Sequence, residues 1–286
     1  MNLIGRMFLL TIRANITVPH DDFKEAWLLN GLNARHIPKP RSTEDAFRRA
    51  TPKKQWKNGL ALLDYKGGRH LNDKSSNEVV MIYSKDSKSK VDIHHLNRCV
   101  IYLSGDKIEV EPFTPLTDEE FNYIEKIKKD FVLAKDYYDG SHARGAIQKV
   151  LDECSSLTYR DGNYLVPRTH FAQADGIVGM IHFLNQYTEG PKNILWDIPY
   201  IDTENTRGQV LESVVQHIES TVEMVLKEAA NLKPSEYNIV KSRRSTLLTT
   251  LENTQLTIAT YEKIMGYPLP DARALLQNAI VKFNAL

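Results

Sequence analysis

The sequence predicts an α+β fold, and three patterns carry that expectation. Between Gly59 and Phe113 four strand-like runs are separated by turn-rich pieces, the arrangement of an antiparallel meander. From Thr117 to Val166 helix-start signals lead into one Asp-Gly turn, which reads as helices followed by a hairpin. Beyond residue 202 one apolar rhythm of three- and four-residue gaps is written twice, on either side of Pro234. Such spacing keeps one side of a helix apolar for as long as it lasts.

In chain order, Phe8, Leu10, Ile12 and Ala14, continued by Ile16 and Val18, alternate as in a half-buried strand. Pro19-His20-Asp21-Asp22 starts a helix with Phe23, Ala26, Trp27 and Asn30 on one face, ended by Gly31 or Asn33. Ile37-Pro38-Lys39-Pro40 is extended, because proline disfavours helix in the residue before it. Ser42 opens a short helix, with Asp45 as its capping partner. The strands are Leu60 to Tyr65, Val79 to Ser84, Val91 to Ser104 and Lys107 to Phe113.

Thr117 and Glu120 form a capping box for a helix marked by Phe121, Ile124 and Phe131, which Asp139-Gly140 breaks. The next helix turns Ile147, Val150, Leu151 and Cys154 inward. Leu157 to Val166 is a hairpin around Asp161-Gly162, a dipeptide suited to positive φ at both central positions. His170 to Gln186 is helical despite two glycines, and Ile194 to Ile201 is a strand. The paired rhythm then follows: Leu211, Val215, Ile218, Val222, Val225, Ala229 and Leu232 on the first arm. The second arm carries Tyr237, Val240, Arg244, Leu247, Leu251, Thr254, Ile258, Tyr261 and Met265. Each arm would be roughly 40 Å long at 1.5 Å per residue. Pro270-Asp271 caps a last short helix. These elements group as 1–115 (an α+β domain with the sheet), 116–201 (a helix-hairpin part) and 202–286 (the helical hairpin).

Composition narrows the function classes. The chain has 286 residues, 42% hydrophobic and 26% charged, with a net charge of +1. That balance is ordinary for a globular protein and argues against a wholly basic DNA-coating one. No apolar run is long enough to span a bilayer, and Met7 to Leu10 is shorter than a signal-peptide core. Two cysteines, Cys99 and Cys154, are too few for a disulfide framework. The expectation is a cytoplasmic protein of a bacterial host with no membrane partner.

Two segments resemble a known group. Asp45-Ala46-Phe47-Arg48-Arg49-Ala50, after the Pro-rich stretch, is similar to the D-x-F-R-R-A signature of uncharacterised bacterial, plasmid and phage proteins. Asp161-Gly162-Asn163-Tyr164-Leu165-Val166-Pro167 resembles their G-G-x-Y-F-V-P hairpin, with Asp161 in place of the first glycine and Leu165 in place of Phe. The resemblance implies a host on mobile elements. It brings no activity, so no catalytic residue and no cofactor is carried over.

Four features are candidates for function. Arg35, Lys39, Arg41, Arg48, Arg49, Lys53, Lys54 and Lys57 face only Glu44 and Asp45, with Trp56 among them. A local cationic excess around a short helix suits phosphate contact, and Trp56 suits base stacking. The plainer reading packs Phe47 inward and leaves the cations paired or solvated. The helix, helix and hairpin from Thr117 to Pro167 have winged-helix order, with His142, Arg144, Gln148 and Lys149 as readers and Tyr159, Arg160 and Asn163 on the wing. An ordinary α+β packing unit explains the same order.

Asp92 and His94 share a strand face, but no third and fourth metal ligand is recognisable, so no metal is expected. Lys135 to Gly140 lacks the spacing of a ligase nucleophile motif, and no Walker or G-x-S-x-G pattern occurs. The seam residues Leu211, Val215, Ile218, Val222, Leu247, Leu251 and Ile258 would join either the two arms of one chain or two protomers. Arg244 and Thr254 within it would specify register, or Arg244 would carry its head to solvent.

The resulting expectation is a non-enzymatic, self-associating interaction protein of a phage or mobile element. It contacts nucleic acid through Arg41, Arg48, Arg49, Lys53, Lys54, Trp56, Arg144, Lys149 and Arg160. The alternatives are an inhibitor or adaptor acting on a host protein complex, and a nuclease or phosphate-handling enzyme with a cryptic site.

Overall fold

The computed structural model describes residues 2–52, 60–64, 79–85, 94–160, 162–232 and 237–285. It is an α+β protein whose chain divides into two interleaved units. Unit 1 comprises 1–16, 21–38 and 139–286, and unit 2 comprises 17–20 and 39–138. The segment 1–115 expected to act as one domain is therefore shared between both units. The physical reason is strand pairing at long range, which composition and local pattern do not encode.

Unit 1 is built on a four-stranded antiparallel sheet ordered β10-β1-β9-β8. Its strands are β1 (Leu3–Thr11), β8 (Leu157–Arg160), β9 (Asn163–Pro167) and β10 (Ile194–Ile201). The expected first strand runs on to Val18, but β1 ends at Thr11, and Thr17–Pro19 forms a separate short strand, β2, beside β7 (Tyr137–Asp139). Arg160 pairs with Asn163 across a two-residue turn, with Gly162 at φ +82°, as the Asp-Gly pair requires.

Alternation along β1 divides the unit into layers. Arg6 lies over Phe8 and over Phe171 of α5 (Phe171–Leu184), and ion-pairs with Asp175 of α5 and Asp197 of β10. Met7 turns the other way, joining Ile4 and Leu165 in the cluster built by α6 (Glu204–Ala230), α7 (Tyr237–Met265) and α8 (Pro270–Ala285). The two glycines of α5 have a nonlocal cause. A Cβ at Gly176 would lie 2.5 Å from the Asn30 carbonyl oxygen, and one at Gly179 would lie 1.7 Å from Asn30 Oδ1. Asn30 follows α1 (His20–Leu29), whose Phe23 and Trp27 are buried and stacked at 5.5 Å.

The doubled rhythm forms α6 and α7, and its partner lies within the chain. Both arms pack together and against α8, so the hairpin is one part of a three-helix layer. On α6 the buried row is Val210, Val214, Ile218, Val222, Val225 and Ala229. The expected Leu211 and Val215 are only half-buried, whereas the neighbouring Val210 and Val214 are buried. Helix α6 packs on β8 and α8 as well as on α7, so its buried row answers to more than the partner arm.

Leu247, Leu251 and Ile258 of α7 are buried in the same cluster. Arg244 is half-buried. It stacks on Phe283 of α8 at 5.1 Å and donates from Nη2 to the Phe283 carbonyl at 3.3 Å, a favourable place for a cation at a helix C-terminus.

Unit 2 is a meander, β3 (Leu60–Asp64), β4 (Val79–Lys85), β5 (His94–Ser104) and β6 (Lys107–Pro112), as the alternating runs predict. Its core joins Leu60, Leu62, Cys99 and Ile101 of the sheet to α2 (Thr43–Ala50) and α3 (Asp118–Asp136). The Thr117–Glu120 capping box forms as expected at the start of α3. Glu120 also accepts from Arg98 of β5 at 2.7 Å, which ties the helix end to the sheet.

Candidate nucleic-acid interface

Local chemistry explains how α2 presents its charges. Ser42 is the N-cap, its hydroxyl accepting the Asp45 N–H at 3.2 Å, and the Thr51 hydroxyl closes the other end on the Phe47 carbonyl at 2.7 Å. Ala46, Phe47 and Ala50 enter the unit 2 core. With 100° between residues, burial of positions 46, 47 and 50 turns 48 and 49 outward. Arg48 and Arg49 are accordingly exposed in the last turn.

Charge is graded along this helix. Glu44 and Asp45 occupy the first turn, where Asp106 also lies, bonded to the Thr43 hydroxyl at 3.0 Å and 3.7 Å from Lys135 Nζ. The Glu44 carboxyl is held below its ordinary range by a backbone N–H and the Ser42 hydroxyl, with Arg48 adding to the effect. Arg48 lies 3.5 Å from Asp45, and both side chains are about half exposed, so their mutual attraction is worth little. The cationic end of α2 therefore continues in sequence towards Lys53, Lys54 and Lys57, while its anionic end faces Asp106.

The structure distributes the other candidates differently. Arg41 donates to the Ala134 carbonyl at 3.4 Å and is half-buried, which gives it a packing role. Lys53, Lys54 and Trp56 lie outside the described residues, as do Asp92 and the side chains of His94 and Arg160. Arg35, counted with the basic segment, belongs to unit 1. There it pairs at 2.6 Å with Glu153, which also binds the ring of His36.

The winged-helix reading does not survive the topology. The first helix, α3, belongs to unit 2, whereas α4 (Gly140–Glu153) and the hairpin belong to unit 1. The supposed wing is two strands of the sheet, with β9 between β1 and β8. Its readers are engaged as well. Arg144 donates to the Ile12 carbonyl at 2.7 Å, Gln148 accepts from Tyr164 and donates to Asp152, and His142 closes the N-terminal box of α4 with Asp139. Lys149 alone of the four is exposed without such a bond among the described residues. The helix that Asp139-Gly140 was expected to break ends at Asp136, and Gly140 opens α4, where a Cβ would lie 1.9 Å from the Arg13 carbonyl oxygen.

Among the described residues no three His, Cys, Asp or Glu side chains are placed to hold a metal ion. No helix among them is long and apolar enough to cross a membrane. The sequence reading passed over two features of unit 1. One is the half-buried Arg6 between two carboxylates, signalled by an arginine within a strand. The other is a hydroxyl-rich pocket beside Thr254.

The chain belongs to DUF6744, a family of unknown function, whose model matches residues 3–286. No curated protein and no solved structure matches it.

Proposed function

We propose that this chain is a nucleic-acid-contacting protein whose contact is made by unit 2, through the C-terminal end of α2 and the basic segment that follows it. The observation that carries this reading is the orientation of α2. Its apolar face is spent on the unit 2 core, so Arg48 and Arg49 stand exposed where the cations concentrate. Lys39 to Lys57 holds seven Lys and Arg against two acids. Released counterions supply the affinity of such a segment, which makes binding steeply salt-dependent and weakly sequence-dependent. The motif likeness to plasmid and phage proteins supports mobile DNA as the setting. The test is the affinity for short duplex DNA as a function of salt, in the wild type and in Arg48→Ala/Arg49→Ala. The double variant keeps its thermal unfolding and loses affinity if the reading holds. An unchanged affinity removes it.

Ile218, Val222, Leu247, Leu251 and Ile258 are buried inside unit 1, so self-association would use other surfaces of the chain. A second reading, binding to another protein, is favoured by a different surface. The edge strand β10 exposes Ile194, Trp196 and Ile198 on alternate positions, Trp196 at 62%. A row of exposed large apolar side chains on a sheet edge is a common docking surface. Light scattering of the purified chain and co-purification with host proteins, each compared with Trp196→Ser, test that reading. It fails if the substitution changes neither.

A further inference from the structure

The most developed cavity chemistry lies in unit 1, away from every residue assigned above. A pocket of about 230 Å³ opens where the C-terminus of α4 and strand β8 meet α6 and α7. Its floor is polar and buried: Ser155, Ser156, Thr254 and Thr257 are all below 9% exposed. Thr254 is the seam position where an apolar residue was expected to stabilise the helix pair. Here the seam changes from apolar packing to hydroxyl groups.

Ser155 is the telling residue. Helix α4 ends in a Schellman arrangement, with the Ser155 N–H donating to the Asp152 carbonyl and the Ser156 N–H to the Leu151 carbonyl, both at 3.1 Å. The position after the cap must adopt the left-handed conformation, and glycine normally fills it. Ser155 adopts it at φ +53°, the only non-glycine residue to do so among the described residues. Ser155 as a residue is 6% exposed, and its side chain lines the pocket and makes no hydrogen bond among the described residues. A side chain kept at a strained position, and given no protein partner, is suited to something that enters the pocket.

The walls are polar too, but Thr158 and Asn253 are exposed and Thr221 is half-buried. Thr158, Thr221 and Asn253 line the space and make no side-chain hydrogen bond among the described residues. Each hydroxyl and amide can both donate and accept. Among the described residues neither lysine nor arginine lines the pocket, and nor does an aromatic ring, while Met224 supplies one apolar patch at the rim. Burial holds the Asp152 carboxyl above and the His217 imidazole below their ordinary ranges, each partly opposed by the other's charge. Both shifts favour uncharged forms. An anionic ligand would find no cation here, and a flat base would find nothing to stack on. The volume of about 230 Å³ is room for one small compact molecule.

We infer that this pocket binds a neutral polyhydroxylated molecule of monosaccharide size, held by Ser155, Thr221 and Asn253 over the hydroxyl floor. The test uses the full chain and three groups of probes: neutral monosaccharides, cyclic polyols, and inorganic phosphate with sugar phosphates as the charged controls. Binding is read by calorimetry and by thermal shift into the low-millimolar range. At least one neutral probe should bind saturably, and the charged controls should not.

Ser155→Gly is the decisive variant. Glycine relieves the left-handed conformation, so the fold should be as stable as the wild type or more so, while affinity falls by about tenfold or more as one hydrogen bond is lost. Thr221→Val should weaken the same probe similarly. The inference is overturned if no neutral probe binds, if binding survives both substitutions, or if only the charged controls bind.

Discussion

Glu120→Ala is the most informative test of how unit 2 is held together. The Glu120 carboxylate is 2% exposed and accepts from Arg98 Nε at 2.7 Å, Arg98 Nη2 at 3.2 Å and the Thr117 N–H at 2.8 Å. Removing one member of a buried pair costs about 3–5 kcal/mol, because the other charge stays behind. Arg98 keeps 19% exposure and a bond to the Pro115 carbonyl at 2.8 Å, so the lower end, about 3 kcal/mol, applies. Loss of the reciprocal cap adds about 1 kcal/mol. The total of about 4 kcal/mol should appear in urea unfolding of the full chain at pH 7.

The effect has a pH signature. Burial alone would raise the Glu120 pKa, but hydrogen bonds from Arg98 and the Thr117 N–H outweigh it and hold the carboxyl below its ordinary 4.5. A depressed folded-state pKa gives stability that is fully present above the unfolded value and is lost as pH falls through the folded one. The gap between wild type and variant should therefore be constant above about pH 5 and close in more acidic solution. A loss under about 1 kcal/mol, or a gap that persists in acid, would refute the reasoning.

Three other outcomes follow from particular contacts. Gly176→Ala should destabilise by about 1–3 kcal/mol, since its Cβ would press on the Asn30 backbone. Gly208→Ala in α6, with nothing within 4 Å, should stabilise by up to about 1 kcal/mol, and chemical denaturation of both compares them directly. Both cysteines are buried, and burial pushes the Cys154 thiol up to about 12. Iodoacetamide at neutral pH should accordingly label the native protein slowly and the denatured protein fully, as mass spectrometry would record.

Much of the local structure was legible because its causes are local. The Thr117–Glu120 box, the Ser42 cap and the pairing of Arg160 with Asn163 around Gly162 each have their determinants within a few residues, and each is found where the pattern puts it. The misread features have distant causes. The face of α6 was ambiguous because Val210, Leu211, Val214 and Val215 are all apolar, and the sheet beneath decides which row turns inward. Gly140 at the start of α4 and Gly176 within α5 each mark a close approach to a backbone far away in sequence, which no local pattern shows.

The candidate residues divide in the same way. Arg48 and Arg49 could be assigned to a surface because Phe47 and Ala50 fix the helix face. Arg144 could not, since its acceptor is the carbonyl of Ile12, 132 residues away. The pocket in unit 1 left one visible trace, threonines at 250, 254 and 257 on a single face of α7. Its remaining walls come from α4, β8 and α6, and no local pattern joins them.

Binding of short duplex DNA across a salt series tests the central claim most directly. Lys39 to Lys57 carries a net excess of five positive charges. If all five meet phosphates, log affinity should fall against log salt with a slope of about −4.5, or about five hundredfold between 50 and 200 mM. Arg48→Ala/Arg49→Ala should reduce the slope to about −2.7 with thermal unfolding unchanged. An absence of binding at low salt, or a slope that the double variant leaves intact, would contradict the assignment of this surface to nucleic acid.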